Sequence, residues 1–400
     1  MLEYLIIESL AAIFGGIIVL IIAYKFLPWT KIGGFLKRAW LWVLLFIIVL
    51  LVGMFANATY APNFALPPWM QTKTPKGPTA ALPLSKIIEF FTTFDEMEIV
   101  DDIGANPNDV PPPTNRTEPA LVKINMIAQE VISEVSPGIF FNYWTYDKQV
   151  PGPMYRARVG DTVELTLTNH ESSLHPHNID LHAVTGPGGG AILTVVEPGE
   201  TKGFRWKALA PGLYVYHCAT ANISTHNAHG QYGLILIEPE EGLPEVDKEF
   251  YVVQGELYTE GRLGKKGLVA FDSKALLDGI PNYVTFNGKV ETSPRMKVMA
   301  GDRVRIYVGN GGTNLISSFH VIGEIFDTVY PEAAIGSETF KNVQTTAVLP
   351  GGAAIVEFVA DVPGNLILVD HALARMNKGA WSIMEVEGEP RPDIFEPIEL

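Results

Sequence analysis

A chain of 400 residues exceeds what one ordinary hydrophobic core organises, so two or three domains are expected. A formal charge of −15 excludes nucleic acid as a partner, which needs clustered Lys and Arg; the acidic surface reads as a solubility device or a docking face. One cysteine excludes an internal disulfide, and 37 Gly and 29 Pro among short runs of Val, Ile, Tyr and Thr favour strands over helices.

Residues 39–56 (AWLWVLLFIIVLLVGMFA) carry no charge, close to the ~20 residues that cross a bilayer. Residues 5–27 are nearly as apolar but include Glu8 and Lys25. Both runs are expected to be transmembrane α-helices, forming a hairpin over residues 1–58. The first is read as retained rather than cleaved, because Glu3 and Glu8 take the place of the positive charges that open a signal. Lys25, Lys31, Lys37 and Arg38 lie between the runs, so that loop is expected in the cytoplasm and everything after it on the extracytoplasmic face of the cell membrane. Glu8 is read as interfacial. Residues 59–118, rich in Pro, Asn and Thr, predict an extended linker with one amphipathic helix over 85–100 (SKIIEFFTTFDEMEIV).

Beyond residue 119 the chain repeats itself. RVGDTVELTLTN (158–169) matches AGDRVRIYVGN (300–310), and PGETKGFRWKALAPGLYVYHCA (198–219) matches PGGAAIVEFVADVPGNLILVDHA (350–372). Each copy has a Gly-Asp turn before an alternating strand, then a strand, a Pro-Gly turn and a strand delivering His or Cys at its end. The pattern predicts an all-β body of two tandem Greek-key β-sandwiches, over 119–242 and 243–393.

The chemistry concentrates in two segments. In YHCATANISTHNAHGQYG (216–233), Cys218 follows His217 and precedes His226 by eight residues and Gln231 by thirteen. One thiolate, two imidazoles and a weak fourth donor make a blue-copper centre. In LHPHNIDLHAVTGPGGG (174–190), Asp180 and His182 share one side of a strand and His177 takes the other. Adjacent strand residues also diverge, which places Cys218 with His177 at one copper and His217 with His182 at a second. His226 is preferred over His229 as the second imidazole because four residues separate it from Gln231. His229 is read as exposed or just behind the site, and His170 and His175 as surface residues, His175 with Pro176 shaping a possible donor edge.

The strings HNIDLHAVTGPGGG, YHCA, VGNGGTNLISSFHVIGEIFD, LPGGAAIVEF and LVDHA, spread over residues 119–393, resemble the copper-containing nitrite reductases. The resemblance implies two cupredoxin-like domains, a homotrimer and two coppers per subunit. It implies type 1 ligands His177, Cys218 and His226, and type 2 ligands His182, His217 and His371 around a copper between subunits. It further implies that Asp180 and His320 handle protons and that Ile322 overlies the substrate copper. Gln231 stands where the family usually has an axial methionine, and an amide oxygen, a harder donor, is expected to lower the potential. The reaction expected is one-electron reduction of nitrite to nitric oxide, the electron crossing from type 1 to type 2 copper through Cys218 and His217. The donor is left among a cupredoxin, a cytochrome and a quinol, with lipid contact through 1–58.

Two other functions compete. A two-domain multicopper oxidase needs about eight histidines beyond those of its blue site for a three-copper cluster, and this chain has nine in all and no HCH string. A membrane-tethered blue-copper carrier would leave His182, His217 and His371 without a role. Copper content separates the three.

Overall fold

A computed structural model describes residues 97–291 and 294–398. The hairpin expected over 1–58 and most of the segment after it lie outside the described residues. Among the described residues no helix is long and apolar enough to cross a membrane. The helix expected over 85–100 is not found at its described end, where Ile99–Val100 form β1 and pair in parallel with Ile132–Ser133. Beyond β1, Ile103 and Ala105 are buried, and the Ala105 N–H donates to Val150 O at 3.0 Å. The two apolar side chains and the strand pairing hold this stretch on the body.

The body is mostly β and cupredoxin-like. Its first half contains β2 (Leu121–Ser136), β3 (Ile139–Tyr146), β4 (Tyr155–Arg158), β5 (Thr162–Asn169), β6 (Asp180–Leu181), β7 (Thr201–Lys207), β8 (Gly212–His217) and β9 (Tyr232–Glu238), with the short helix α1 (Ile223–Ala228) between the last two. The second half contains β10 (Lys248–Leu257), β11 (Gly267–Leu268), α2 (Ser273–Asp278), β12 (Tyr283–Phe286), β13 (Met296–Met299), β14 (Arg303–Asn310), β15 (Ser317–Ile322), β16 (Thr328–Tyr330), β17 (Thr345–Val348), β18 (Ala353–Val359), β19 (Gly364–Asp370) and β20 (Trp381–Glu387).

The repeat read from the sequence is a repeat of topology. The path β3-β2-β5-β7 in one sheet corresponds to β12-β10-β14-β18 in another, and β4-β9-β8-β6 corresponds to β13-β20-β19-β15. The Gly-Asp turns explain themselves locally. Asp161 Oδ2 accepts the Arg158 N–H at 2.8 Å, and Asp302 Oδ2 accepts the Met299 N–H at the same distance. The glycine before each carries the positive φ that the turn demands, +87° at Gly160 and +96° at Gly301.

All seven residues of β9 are buried because the strand serves two cores. Ile235 and Ile237 face the core of the first sandwich; Leu234 and Leu236 join a second core that also contains Tyr251, Tyr307 and Ile355 of the other half. A third core fills the second sandwich around Phe250, Ile306, Phe319 and Val356. Charge also crosses between the halves. Arg156 lies 2.8 Å from Glu238 and 2.7 Å from Glu249, and Arg305 lies 3.0 Å from Glu249 and 2.7 Å from Glu357, with all four of the strands β4, β9, β10 and β14 and the neighbouring β18 contributing. Tyr307 donates to Glu249 at 2.6 Å, so the buried carboxylates are hydrogen-bonded as well as paired.

Candidate metal centres

The first donor group is built on the β8–β9 hairpin. The Cys218 N–H donates to Gln231 O at 3.1 Å, which sets the thiol and the amide opposite one another at the hairpin's open end. The intervening loop carries α1, whose last turn turns His226 inward. His226 Nδ1 lies 3.3 Å from Cys218 Sγ and 3.1 Å from Gln231 Oε1, so thiol, imidazole and amide oxygen converge on one point. His177 arrives from the other side, held by a two-way backbone bridge with Val196. The ligand atoms of His177, Cys218 and His226 lie within 4.8 Å of one another, and all three residues are buried.

Such a group suits a soft cation better than a hydrogen-bond network. Neither nitrogen of His177 has a hydrogen-bond partner, and Gln231 Nε2 has none, although all are buried. Burial works to raise the Cys218 thiol, but His177, Thr220 and the Asn178 backbone more than offset it, leaving the thiol below its ordinary value. Burial pushes His226 down to about 3, which keeps its imidazole neutral and able to ligate. The donor set is that of a type 1 copper site.

The second group is built on β6 against β8. Asp180 pairs directly with His217 in the antiparallel register, and the His182 N–H donates to Val215 O at 3.0 Å. Asp180, His182 two residues on, and His217 opposite therefore project from the same side of the ladder. His182 Nε2 and His217 Nε2 stand 3.1 Å apart, and the ligand atoms of all three residues lie within 4.8 Å. Desolvation first, then the charge of His217, lowers the His182 pKa. The glycine run beneath fixes Asp180: a Cβ on Gly189, at φ +55°, would fall 1.8 Å from Asp180 Oδ1.

His371 is not part of that group within the chain. It follows β19, donates its N–H to Ser318 O at 2.8 Å, and lies with its ring 5.4 Å from that of His320. His320 Nδ1 donates to the Gln344 carbonyl at 2.5 Å, which leaves Nε2 as its acceptor. Ile322, two residues on along β15, is exposed. His371 is exposed as well. One chain thus carries two separate side-chain groups, Asp180 with His182 and His217, and His320 with His371.

Of the two placements expected for His229, exposed or just behind the site, the structure takes the second: it is 5 % accessible and its ring stacks on Trp144 at 4.3 Å and 16°. Its Nδ1 donates to Thr225 O at 2.7 Å, and the aromatic wall of Phe141 and Phe271 makes burial favourable. The expectation that His175 lies on the surface needs correction: it is partly buried, its ring tilted 30° against Trp144 at 4.4 Å and its Nδ1 2.9 Å from Glu130 Oε1. Sequence reasoning missed Trp144 and Glu130, which lie far from the ligand motifs in the chain; no local spacing marks either. It also missed Asn178, whose Oδ1 accepts the Ala219 N–H at 2.7 Å and joins the two ligand segments.

A family model described as multicopper oxidase matches residues 133–242. The copper-containing nitrite reductase of Neisseria gonorrhoeae is 51 % identical over 304 residues, covering 75 % of this chain and 77 % of the relative. A solved copper nitrite reductase from Nitrosomonas europaea superposes with a TM-score of 0.61 at 30 % identity, over 68 % of this chain and 96 % of that one. A solved multicopper oxidase reaches a TM-score of 0.58 at 27 % identity, over 71 % and 98 % of the two chains. The fold is therefore shared by reductases and oxidases, and the sequence similarity is what separates them.

Proposed function

The chain belongs to the copper-containing nitrite reductases and is a copper-dependent enzyme of that class; we propose that it reduces nitrite to nitric oxide where Asp180, His182 and His217 meet His371 of a second copy. The observation that carries the reading is the pairing of a thiolate donor group and an imidazole donor group through consecutive residues 217 and 218. Copper held by His177, Cys218, His226 and Gln231 would supply one-electron transfer, and copper held by three imidazoles would supply an open position that binds and polarises nitrite.

The chain's own residues supply the rest. Conversion of nitrite to nitric oxide and water consumes one electron and two protons. Asp180, pinned by Gly189 beside the imidazole pair, is placed to hydrogen-bond nitrite and hand it a proton. His320, with Nδ1 committed to Gln344, presents Nε2 for the other. The peptide link between Cys218 and His217 gives a covalent bridge between the donor groups. Ile322, exposed beside His320, offers an apolar cover for the nitrite position.

The exposure of His371 and its pairing with His320 rather than His182 favour a homotrimer with shared sites. The uncharged run at 39–56 supports a membrane anchor through residues 1–58 with the body on the extracytoplasmic face. Such a tether would keep the body close to membrane-bound electron donors.

The decisive experiment loads the full chain with cupric ion and measures copper per chain, the visible spectrum and nitric oxide released from nitrite. Two coppers per chain, a thiolate-to-copper band and nitrite-dependent nitric oxide are expected. One copper without nitric oxide would leave an electron carrier, and four with oxygen consumption would leave an oxidase. Recovery of the full chain in the aqueous fraction of lysed cells would remove the membrane anchor.

A further inference from the structure

Glu130 is a fully buried carboxylate that the reaction above does not use. It lies on β2, is 1 % accessible, and one of its oxygens gathers four nitrogen contacts. Oε1 accepts the backbone N–H groups of Leu174 and His175 at 2.8 Å each, and lies 2.9 Å from His175 Nδ1 and 3.5 Å from His177 Nε2. Oε2 has no partner.

The position of this anion matters more than its presence. With Nε2 of His177 turned to Glu130, Nδ1 is the nitrogen left for Cys218 and His226. A carboxylate behind a ligating imidazole fixes the ring's tautomer and orientation and makes the ligand more basic. At 3.5 Å the contact to Nε2 is at the limit of a hydrogen bond, so its effect is chiefly that of a charge in a dry surrounding, where Coulomb interactions reach further than in water. Trp144 helps to exclude that water: it is 7 % accessible, lies against the His175 ring at 4.4 Å, and meets His177 and His226 edge-on at 5.8 and 4.6 Å.

We propose that Glu130 is a positioning residue for the thiolate donor group, orienting His177 through its outer nitrogen and lowering the reduction potential of copper bound there. A fixed negative charge favours the more highly charged oxidised ion. The proposal rests on His177, Cys218 and His226 being copper ligands.

The test is a spectroelectrochemical titration of the copper-loaded full chain as wild type, Glu130→Gln and Glu130→Asp. Glu130→Gln is expected to keep the thiolate-to-copper band and shift the midpoint potential upward, with Glu130→Asp, which retains the charge, closer to wild type. An unchanged or lower potential in Glu130→Gln, or equal shifts in both variants, overturns the proposal. Should Glu130→Gln not fold, pulsed electron-paramagnetic spectra of the wild type still decide. Two inequivalent outer imidazole nitrogens, one facing an anion, are expected, and two equivalent ones overturn it. A wild type with no thiolate-to-copper band sinks the ligand assignment itself, whereas a normal band with an unmoved potential sinks the role of Glu130 alone.

Discussion

Consecutive residues His217 and Cys218 serve different donor groups, His217 Nε2 standing 3.1 Å from His182 Nε2 and Cys218 Sγ 3.3 Å from His226 Nδ1. The end of an extended strand sends neighbouring side chains to opposite sides, so one short segment reaches two donor groups. Cys218→Ala should therefore abolish the visible band while the His182–His217 group still takes up copper. Metal analysis is expected to fall from two coppers per chain to one, and a variant that binds none would make the two groups interdependent.

Asp180→Asn removes a transferable proton and leaves the donor groups in place. Loss of a general acid typically costs about 10²–10⁴-fold, and turnover with an artificial electron donor should drop accordingly at unchanged copper content. Gly189→Ala tests the same residue from behind, since the added methyl must displace the Asp180 carboxylate. It should also lower turnover, and wild-type rates in both variants would reduce Asp180 to a structural part.

Gln231→Met replaces a hard oxygen by a thioether and should raise the reduction potential of the thiolate site. Gln231 Oε1 lies 3.1 Å from His226 Nδ1, close enough to share the ion. Equal or lower potential in a redox titration would strike Gln231 from the ligands.

Burial first, then Asp361 and Asp327, pushes the Glu324 carboxyl up to about 7 from an ordinary 4.5. The folded protein then holds this proton more tightly than the unfolded chain does. The associated stability is fully present below about pH 4.5 and is lost as pH rises to about 7, with solvent screening keeping the effect small because the group is only half-buried. Glu324→Gln should flatten that decline, read as a smaller change in urea midpoint between pH 4.5 and 7 than in wild type. Parallel pH dependences would mean that the shift does not exist.

The sequence motifs carried the duplicated sheets because Gly-Asp and Pro-Gly turns at matched positions impose the same local geometry twice. The donor segments were legible for a similar reason: Asp180 and His217 sit on β6 and β8, and His182 and Cys218 directly follow them, so the two-residue period still sorts all four. Glu130 and Trp144 were not, because β2 and β3 meet the ligand loop only after the sheets have packed. His229 was left between exposed and just behind the site, because spacing from Gln231 says nothing about an aromatic wall supplied by Phe141, Trp144 and Phe271. The amphipathic pattern at 85–100 failed at its end because Ile99 and Val100 find a strand edge to extend.

Glu249 sits between Arg156 of one half and Arg305 of the other, and its replacement by Ala would take one of two carboxylates from each guanidinium, leaving Arg156 with Glu238 and Arg305 with Glu357. Because each guanidinium keeps a partner, the loss should fall below the about 3–5 kcal/mol of an orphaned buried charge, and a denaturation midpoint should drop moderately; an unchanged midpoint would mean that Glu249 adds nothing to the two remaining pairs. Only the Arg156–Glu249 contact crosses between the halves, so a first half made without the second would keep Arg156 on Glu238 and lose one carboxylate from an otherwise intact pair.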